Sequence, residues 1–389
     1  MKRHKTNFRI DQLAWAAAII VLLFAPAGLA AQVALDGPSL GQPRPAPPNT
    51  RYEVSSDKAA DLVTEAFGLS KTANSQKDHS QVIELCGQAL ASNPSDRAAQ
   101  YAQQLMSWAF NRRGEAAAAA GDEKNAIADF EASLQLDPKR WRALHNRGVS
   151  YYLAGQTDKA LADFTETIRI EPRFPTAYFN RGELRIATDN LVGAVQDYSR
   201  AITLGSDDAQ SYGGRAHALF RLGHYRLALA DFDEALKQEP ENATALAGRG
   251  DALAKTGQYR EAATCFERAI QLDPGLGRAY ESAAWLMATC PDDRFRQTKL
   301  SIETARKAIQ LAGKTDDRNL DVLAAAYAND GQFERAKLIV TKAAAAAPKA
   351  RLAVYQHRLR LYRQGKPYRE SRRIAAKSSS GEENRLRQR

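Results

Sequence analysis

The sequence has few of the residues that build disulfide frameworks, metal sites and common catalytic motifs. Its 389 residues include only three cysteines and six histidines. The cysteine count is odd and no two cysteines have metal-ligand spacing, which excludes a disulfide framework and a zinc motif. No histidine belongs to an HExxH motif or lies beside a nucleophile motif, and no phosphate-binding loop occurs. We therefore expect no catalytic activity, no metal and no cofactor.

What the sequence does contain is a repeat of 34 residues. An arginine, a small residue and an aromatic each return at this interval, and a proline closes most units. They are Arg113, Arg147, Arg181, Arg215 and Arg249; Ala126, Ala160, Ala194, Ala228 and Ala262; Phe130, Phe164, Tyr198, Phe232 and Phe266; and Pro138, Pro172, Pro240 and Pro274. A fixed period of this length marks a repeat array, in which neighbouring units must stack to bury apolar surface.

The pattern resembles the tetratricopeptide repeat, a helix-turn-helix unit. The resemblance implies an all-α fold, a solenoid of helical pairs wound as a right-handed superhelix. It divides the chain into eight repeats, of which the first and seventh are divergent and the second has a lengthened first helix. We place them at 56–94, 95–138, 139–172, 173–206, 207–240, 241–274, 275–314 and 315–348, followed by a capping helix at 349–366.

Within each repeat, taking the closing proline as position 32, one stripe on each helix is apolar. Positions 4, 8 and 11 share a face of the first helix, and positions 20, 24 and 27 share a face of the second. The small residue at position 8 allows the two helices to approach closely. Glycines near position 15, Gly155, Gly223 and Gly257, are typical of helix ends.

Position 6 of the first helix faces away from its partner helix, towards the concave side that the resemblance assigns to ligands. Asn146 and Asn180 occupy it in two repeats, whereas Arg112, Gly214 and Gly248 occupy it in others. An asparagine side chain both donates and accepts, so it can bind the backbone of an extended peptide. This is similar to the asparagine ladder of the O-linked N-acetylglucosamine transferase superhelix, at two rungs only. Positions 2, 5, 9, 12 and 13 add the candidates His145, Tyr152, Phe179, Glu183, His217, Phe220 and Arg221.

The recurring arginine at position 7 lies beside the packing stripe, and position 23 of the second helix has an equivalent offset. Aspartate occupies position 23 in four repeats, and Cys265 occupies it in a fifth, opposite Arg249. We predict partly buried ion pairs between helices, with the partner in the same repeat or the next. The pairs are Arg113/Asp129, Arg147/Asp163, Arg181/Asp197 and Arg215/Asp231.

The N-terminal segment is typical of export. Basic residues precede an apolar run from Leu13 to Ala31, so residues 1–31 are either a cleaved signal peptide or an uncleaved anchor. Either case predicts an exported protein of the periplasm or cell envelope. Residues 32–55 are rich in proline and predict an extended linker. Buried free thiols explain the cysteines, and a Cys265–Cys290 bridge is the alternative in an oxidising compartment.

The C-terminal segment is basic. Residues 349–389 contain thirteen Lys or Arg against three Glu, and residues 367–389 are predicted to be a disordered tail. The stretches AAWLMATCPDDRFR, LDVLAAAYANDGQFERA and RLRLYRQGKPYRE resemble a group of exported bacterial tetratricopeptide repeat proteins, a likeness that covers residues from about 60 to 370. It implies fold and export, but no reaction.

The sequence thus predicts a non-catalytic scaffold or adaptor that binds an extended peptide or a partner protein on its concave face. The alternative is an anchoring element whose tail binds an anionic membrane or polymer. Nucleic acid is not expected as a partner of an exported protein.

Overall fold

The computed structural model describes residues 58–313 and 315–371. All regular structure in this part of the chain is helical, with 17 α-helices and short 3₁₀ turns at Asp293–Phe295 and Lys349–Arg351. The chain divides into two compact units, and the boundary in the sequence lies between Thr188 and Asp189. We call the described parts of these the N-terminal unit (58–188) and the C-terminal unit (189–371).

The N-terminal unit contains seven of the helices. Within this unit the first helices α1, α3 and α5 each pack on the second helix that follows, and they form helical hairpins joined by short turns. Its helices are α1 (Lys58–Ser70), α2 (Gln76–Ala91), α3 (Asp96–Ala119), α4 (Glu123–Leu136), α5 (Trp141–Leu153), α6 (Thr157–Ile170) and α7 (Pro175–Ala187).

The C-terminal unit contains ten helices packed by the same rule, and its first helices also contact one another side by side. They are α8 (Leu191–Thr203), α9 (Ala209–Arg221), α10 (Tyr225–Gln238), α11 (Ala243–Thr256), α12 (Tyr259–Leu272), α13 (Gly277–Thr289), α14 (Thr298–Ala312), α15 (Asp317–Asn329), α16 (Phe333–Ala346) and α17 (Leu352–Arg363).

Local signals set where these helices begin and end. Ser75 and Asp78 form a capping box at the start of α2, in which each side chain accepts from the other's backbone N–H. The side chain of Asn242 accepts from the backbone of Ala245 and caps α11. Gly257 ends α11 in the left-handed region at φ 86°, where glycine carries no steric penalty.

In the hairpins α3–α4, α5–α6 and α11–α12, a buried aromatic ring packs against a glycine. A Cβ added to Gly148 of α5 would lie 2.9 Å from Cε1 of Phe164 on α6. The same contact would be 2.6 Å between Gly250 and Phe266. Both rings are buried. Close approach of the backbones therefore requires glycine at position 8 in these repeats.

The first helix of the second repeat runs for 24 residues, from Asp96 to Ala119. It buries Tyr101, Leu105 and Trp108 against the hairpin of α1 and α2. The extra turns thus cover the preceding repeat, since the apolar stripe continues beyond the length of an ordinary first helix.

The chain beyond α17 corrects one expectation. Residues 367–389 are predicted to be disordered, but residues 367–371 lie against α13, without regular secondary structure, and form hydrogen bonds to it. Composition misled the prediction because it counts charges, and here Tyr368, Arg369 and Glu370 each find a specific partner.

Several expectations lie outside the described residues, namely the signal segment 1–31, the linker 32–55 and the tail from residue 372. Among the residues that the structure describes, no helix is long and apolar enough to cross a membrane. Within the same ranges, no cluster of histidine, cysteine and carboxylate side chains could hold a metal ion. Cys86, Cys265 and Cys290 are buried thiols outside any disulfide bond, and burial raises the pKa of the Cys86 thiol to about 12.

Candidate functional site

A chain of buried hydrogen bonds links the first helices of the N-terminal unit. Asn180 Nδ2 on α7 lies 2.9 Å from His145 Nε2 on α5. His145 Nδ1 lies 3.4 Å from Asn146 Oδ1, and Asn146 Nδ2 donates to Glu115 Oε1 on α3 at 3.0 Å. Asn111 Nδ2 donates to the same carboxylate oxygen at 2.8 Å. The side chains thus connect three neighbouring first helices.

The direction of these bonds fixes the protonation state of His145. An amide nitrogen only donates, so His145 Nε2 accepts from Asn180 and its proton is on Nδ1. The Nδ1–H in turn donates to Asn146 Oδ1. Burial lowers the pKa of His145 to about 4, which keeps the ring neutral at pH 7. A neutral ring is what this pattern of donors and acceptors requires.

The predicted asparagine ladder therefore needs correction as to its exposure. Asn146 and Asn180 are 5% and 0% exposed, and neighbouring His145 and Phe179 are also buried. The prediction used the angle around one helix and did not consider that the preceding first helix lies against the same face. The hydrogen-bonding capacity of both amides is directed at the protein itself rather than at an open groove.

Three of the arginines at position 7 reach the aspartate of their own repeat. Arg147 donates from Nε and Nη2 to the two carboxylate oxygens of Asp163, both at 2.8 Å. The hydrogen bonds to Asp163 raise the pKa of Arg147. The same two-pronged geometry joins Arg113 to Asp129 at 2.8 and 2.7 Å, and Arg215 to Asp231 at 2.7 and 2.9 Å.

The arginines also contact the preceding repeat. Arg215 Nη1 donates to Ser199 Oγ on α8, at position 25 of the repeat before. Arg181 donates to Thr165 Oγ1, which occupies the same position one repeat earlier. Asp197, its predicted partner at position 23, is buried. The arginine thus ties a first helix to second helices on both sides.

Arg249, which has no aspartate at position 23, uses both kinds of partner. Its Nη1 donates to Cys265 Sγ at 3.2 Å, and its Nε donates to Asp233 Oδ1 at 2.7 Å. Asp233 occupies position 25 of the preceding repeat, so the lost in-repeat charge is replaced by one from the repeat before.

The other predicted groove residues keep part of their surface accessible. Tyr152 and Glu183 are half-buried. Burial raises the pKa of Tyr152, and the negative charge of Glu183 raises it further. Phe220 contacts Tyr225 with ring centroids 5.3 Å apart. Arg221 is exposed and donates to Asp189. His217 is partly buried, and its pKa is lowered to about 4 by burial and by nearby arginines.

A cleft of about 320 Å³ lies in the C-terminal unit, and Phe220 is one of its lining residues. First helices α11 and α13 together contribute seven of its lining residues. Its lining combines aromatic rings with charged groups, among them Phe220, Asp251, Lys255, Tyr259, Trp285 and Leu286. Such a mixture of anchor pockets and charge suits recognition of a peptide side chain.

Sequence reasoning missed three of these residues, although the signal was present. Asp251 and Trp285 are 34 residues apart and both occupy position 9, and Lys255 occupies position 13. These are groove positions that the repeat pattern predicts. They were overlooked because the candidates were drawn only from the middle repeats.

The chain's own C-terminal segment borders the cleft. Tyr368, Glu370 and Ser371 form one of its walls. The Glu370 N–H donates to the carbonyl oxygen of Thr289 at 2.9 Å, and Glu370 Oε1 accepts from Trp285 Nε1 at 3.1 Å. A segment without regular secondary structure is thus already bound on this surface by one main-chain and several side-chain contacts.

Comparison with known protein families identifies three stretches of the chain. Residues 109–140, 141–174 and 214–277 each match a family described as tetratricopeptide repeat. The matched residues include the arginine and aspartate of three pairs described above. No curated protein matches the chain.

Several solved structures are similar to it. A crystal structure of MamA has a TM-score of 0.39 and 22% identity, and it covers 41% of this chain and 94% of its own. YrrB, described as a TPR protein with an unusual peptide-binding site, has a TM-score of 0.43 and 18% identity, covering 51% and 96%. A repeat protein from Parabacteroides merdae has a TM-score of 0.39 and 17% identity, covering 79% and 99%.

Proposed function

We propose that this chain binds an extended peptide segment. The premise is that the chain is a tetratricopeptide repeat protein and therefore a protein–protein interaction scaffold. The segment would belong to a partner protein and would lie along the first helices of the C-terminal unit. We further propose that the chain acts as an adaptor of the cell envelope, reached by export through residues 1–31.

The observation that carries the peptide-binding proposal is the C-terminal segment that is already bound beside the cleft and forms one of its walls. Residues 368–371 use backbone hydrogen bonding and side-chain anchors on α11 and α13. A segment from another protein with similar groups meets the same donors and acceptors. Phe220 and Arg221 continue this surface along α9 and remain accessible.

The experiment is affinity capture from an envelope extract followed by chemical cross-linking and peptide identification. The bait is residues 32–389, compared with a Phe220→Ala/Arg221→Ala variant of equal melting temperature. The matched control is Lys237→Ala, an exposed residue on the second helix α10. We expect a discrete partner that cross-links beside the cleft, is lost with the double variant and is kept by the control. Retention of the same partner by all three baits would refute groove binding.

A second candidate, anchoring through the basic C-terminal segment, is favoured by the excess of Lys and Arg in residues 349–389. Binding of such a segment to anionic surfaces weakens steeply with salt, because it depends on screened charges. Vesicles with and without anionic lipid, titrated at low and high salt, distinguish it from binding by the groove. Salt-sensitive sedimentation with anionic vesicles alone would favour the anchoring function.

A further inference from the structure

We propose that residues 367–371 compete with a partner protein for binding at the cleft. The partner segment that they exclude carries an extended aromatic–basic–acidic triplet. The inference rests on the proposed function and deepens it, since it names the chemistry of the partner segment and how access to it is limited. Tyr368, Arg369 and Glu370 are each held in place by their own contacts.

The aromatic residue is anchored by a buried arginine. The guanidinium of Arg358 lies 4.6 Å from the ring centroids of both Trp285 and Tyr368, and these two centroids are 5.8 Å apart. Arg358 is 8% exposed and forms an ion pair with Asp321, which fixes its orientation. A fixed, desolvated cation beside an indole makes a selective site for a second aromatic group. The site remains on α13 and α17 if the tyrosine leaves.

The acidic residue is held by two donors. Glu370 Oε1 accepts from Lys255 Nζ on α11 at 3.2 Å and from Trp285 Nε1 on α13 at 3.1 Å. Both donors belong to groove positions of different repeats, so the carboxylate bridges them. Without a carboxylate here the lysine charge and the indole N–H lose this acceptor, and an acidic side chain from a partner would restore it.

The basic residue recognises the end of a helix. Arg369 Nη1 donates to the carbonyl oxygen of Ala288 at 2.8 Å, and its Nη2 donates to Asn329 Oδ1 at 2.9 Å. Ala288 lies in the last turn of α13, where unsatisfied carbonyl groups favour a cation. The neighbouring Thr289 carbonyl accepts the Glu370 N–H, which fixes the backbone of the segment against the end of α13.

Tethering makes this segment an effective competitor. It follows α17 after only a few residues, and a short tether gives an effective concentration of about 1 mM. If the free triplet binds with a dissociation constant in the tens of micromolar, cis occupancy weakens binding of an external peptide by roughly 10- to 100-fold. A partner must therefore bring additional contacts, for which the accessible surface at Phe220 and Arg221 is available.

The test uses a fluorescein-labelled peptide with the sequence KPYRES, which is that of residues 366–371, and measures its binding to the full chain by anisotropy. The wild type is compared with Tyr368→Ala/Glu370→Ala, in which the cis segment is weakened and the cleft is intact. A second variant, Glu370→Lys, keeps the packing of Tyr368 and reverses only the charge facing Lys255. Melting temperatures check that each protein is folded.

We expect both variants to bind the peptide at least about ten-fold more tightly than the wild type, in line with the tether estimate. Adding Lys255→Glu to either variant should abolish the gain, and a KPARAS peptide should not bind. Equal affinity for the wild type and both variants overturns the proposal. So does a wild-type dimer that is lost in the variants, because the segment would then occupy the cleft of a second copy.

These outcomes are separable from those of the proposed function. A partner lost with Phe220→Ala/Arg221→Ala, together with equal peptide affinities, would retain groove binding and reject only the cis competitor. A ten-fold gain in peptide affinity with no groove-dependent partner would support the competitor and refute the choice of ligand surface.

Discussion

Position 6 carries a hydrogen-bonded amide at Asn146 and Asn180 of the N-terminal unit, whereas at Gly214 and Gly248 of the C-terminal unit it is a glycine packed against a ring. Asn180 bonds to His145 on the preceding first helix. In contrast, a Cβ added to Gly248 would lie 2.4 Å from Cζ of Phe232 on the preceding second helix. Gly214 makes the equivalent close approach to Tyr198. One repeat pattern thus supports two ways of joining neighbouring repeats.

The difference has a physical consequence for each unit. The amide and imidazole groups of the N-terminal unit are buried and satisfy one another, so they give orientation at the cost of desolvation. The glycines of the C-terminal unit gain aromatic packing and leave no polar group to satisfy. The C-terminal unit is also the one in which an open cleft lies along the first helices.

We expect the largest effect on stability when the position-6 residue of one unit replaces that of the other unit. Gly248→Asn puts a side chain where the ring of Phe232 already lies, and it buries an amide with no arranged partner. Overpacking and an unsatisfied polar group together should lower the free energy of unfolding by about 3 kcal/mol. Urea denaturation followed by circular dichroism measures it.

The matched control for that exchange is Gly213→Asn. Gly213 lies in α9, and a Cβ there would meet no atom within 4 Å. We expect a change within about 0.5 kcal/mol, since asparagine and glycine differ only modestly in helix propensity. Equal losses at both positions would mean that the contact with Phe232 does not distinguish the C-terminal unit.

The buried imidazole should make the N-terminal unit sensitive to acid. The folded-state pKa of His145 is lowered to about 4 from 6.5, so the unfolded state binds the proton first as pH falls. Its contribution is present above pH 6.5 and is lost as pH falls from there towards 4. Between pH 7 and pH 5 this is about 2 kcal/mol of unfolding free energy.

A His145→Gln variant isolates that contribution, because glutamine can still accept from Asn180 but does not titrate. Its unfolding free energy should fall less than that of the wild type between pH 7 and pH 5, by the amount given above. His217 is unchanged in both proteins and cancels in the difference. Parallel pH dependences for the two proteins would place the acid sensitivity elsewhere.

The arginine–aspartate pair is common to both units and so provides a reference for the comparison. Asp163→Ala leaves a half-buried guanidinium unpaired and should cost about 2 kcal/mol, and Asp231→Ala should cost a similar amount. Glu166→Ala removes an exposed pair with Arg169 and should change stability by less than about 1 kcal/mol. Thermal melts measure the loss of stability in the three variants. Equal losses in all three would contradict the stabilising role of the arginine–aspartate pairs.

Features that depend on the repeat period could be predicted from the sequence, and those that depend on distance between repeats could not. The period locates Gly155, Gly223 and Gly257 at left-handed helix ends, where the structure has them. It also relates Arg147 to Asp163, which the structure joins by two hydrogen bonds. Both features lie within a single helical hairpin.

The exposure of Asn146 needed knowledge that a single repeat does not contain. Its angle around the helix is as predicted, but the preceding first helix lies close enough to bury it. The packing of Tyr368 likewise depends on Trp285 and Arg358, which are far away in the sequence. Composition described the C-terminal segment as a charged tail because it contains no information on such partners.

The smallest expected effect concerns the hydrogen bonds that link the first helices of the N-terminal unit. It tests whether the side chains that form them stabilise one another. Asn146 donates to Glu115 Oε1 at 3.0 Å, and Asn146→Ala alone should cost about 1 kcal/mol. A double-mutant cycle with Glu115→Ala measures the interaction itself and should give a coupling of about 0.5–1 kcal/mol. Since Asn111 also donates to this carboxylate, Glu115→Ala leaves a second amide to be resolvated. Additive losses in the cycle would mean that the two side chains are neighbours without being partners, and position 6 would then join repeats by packing in both units.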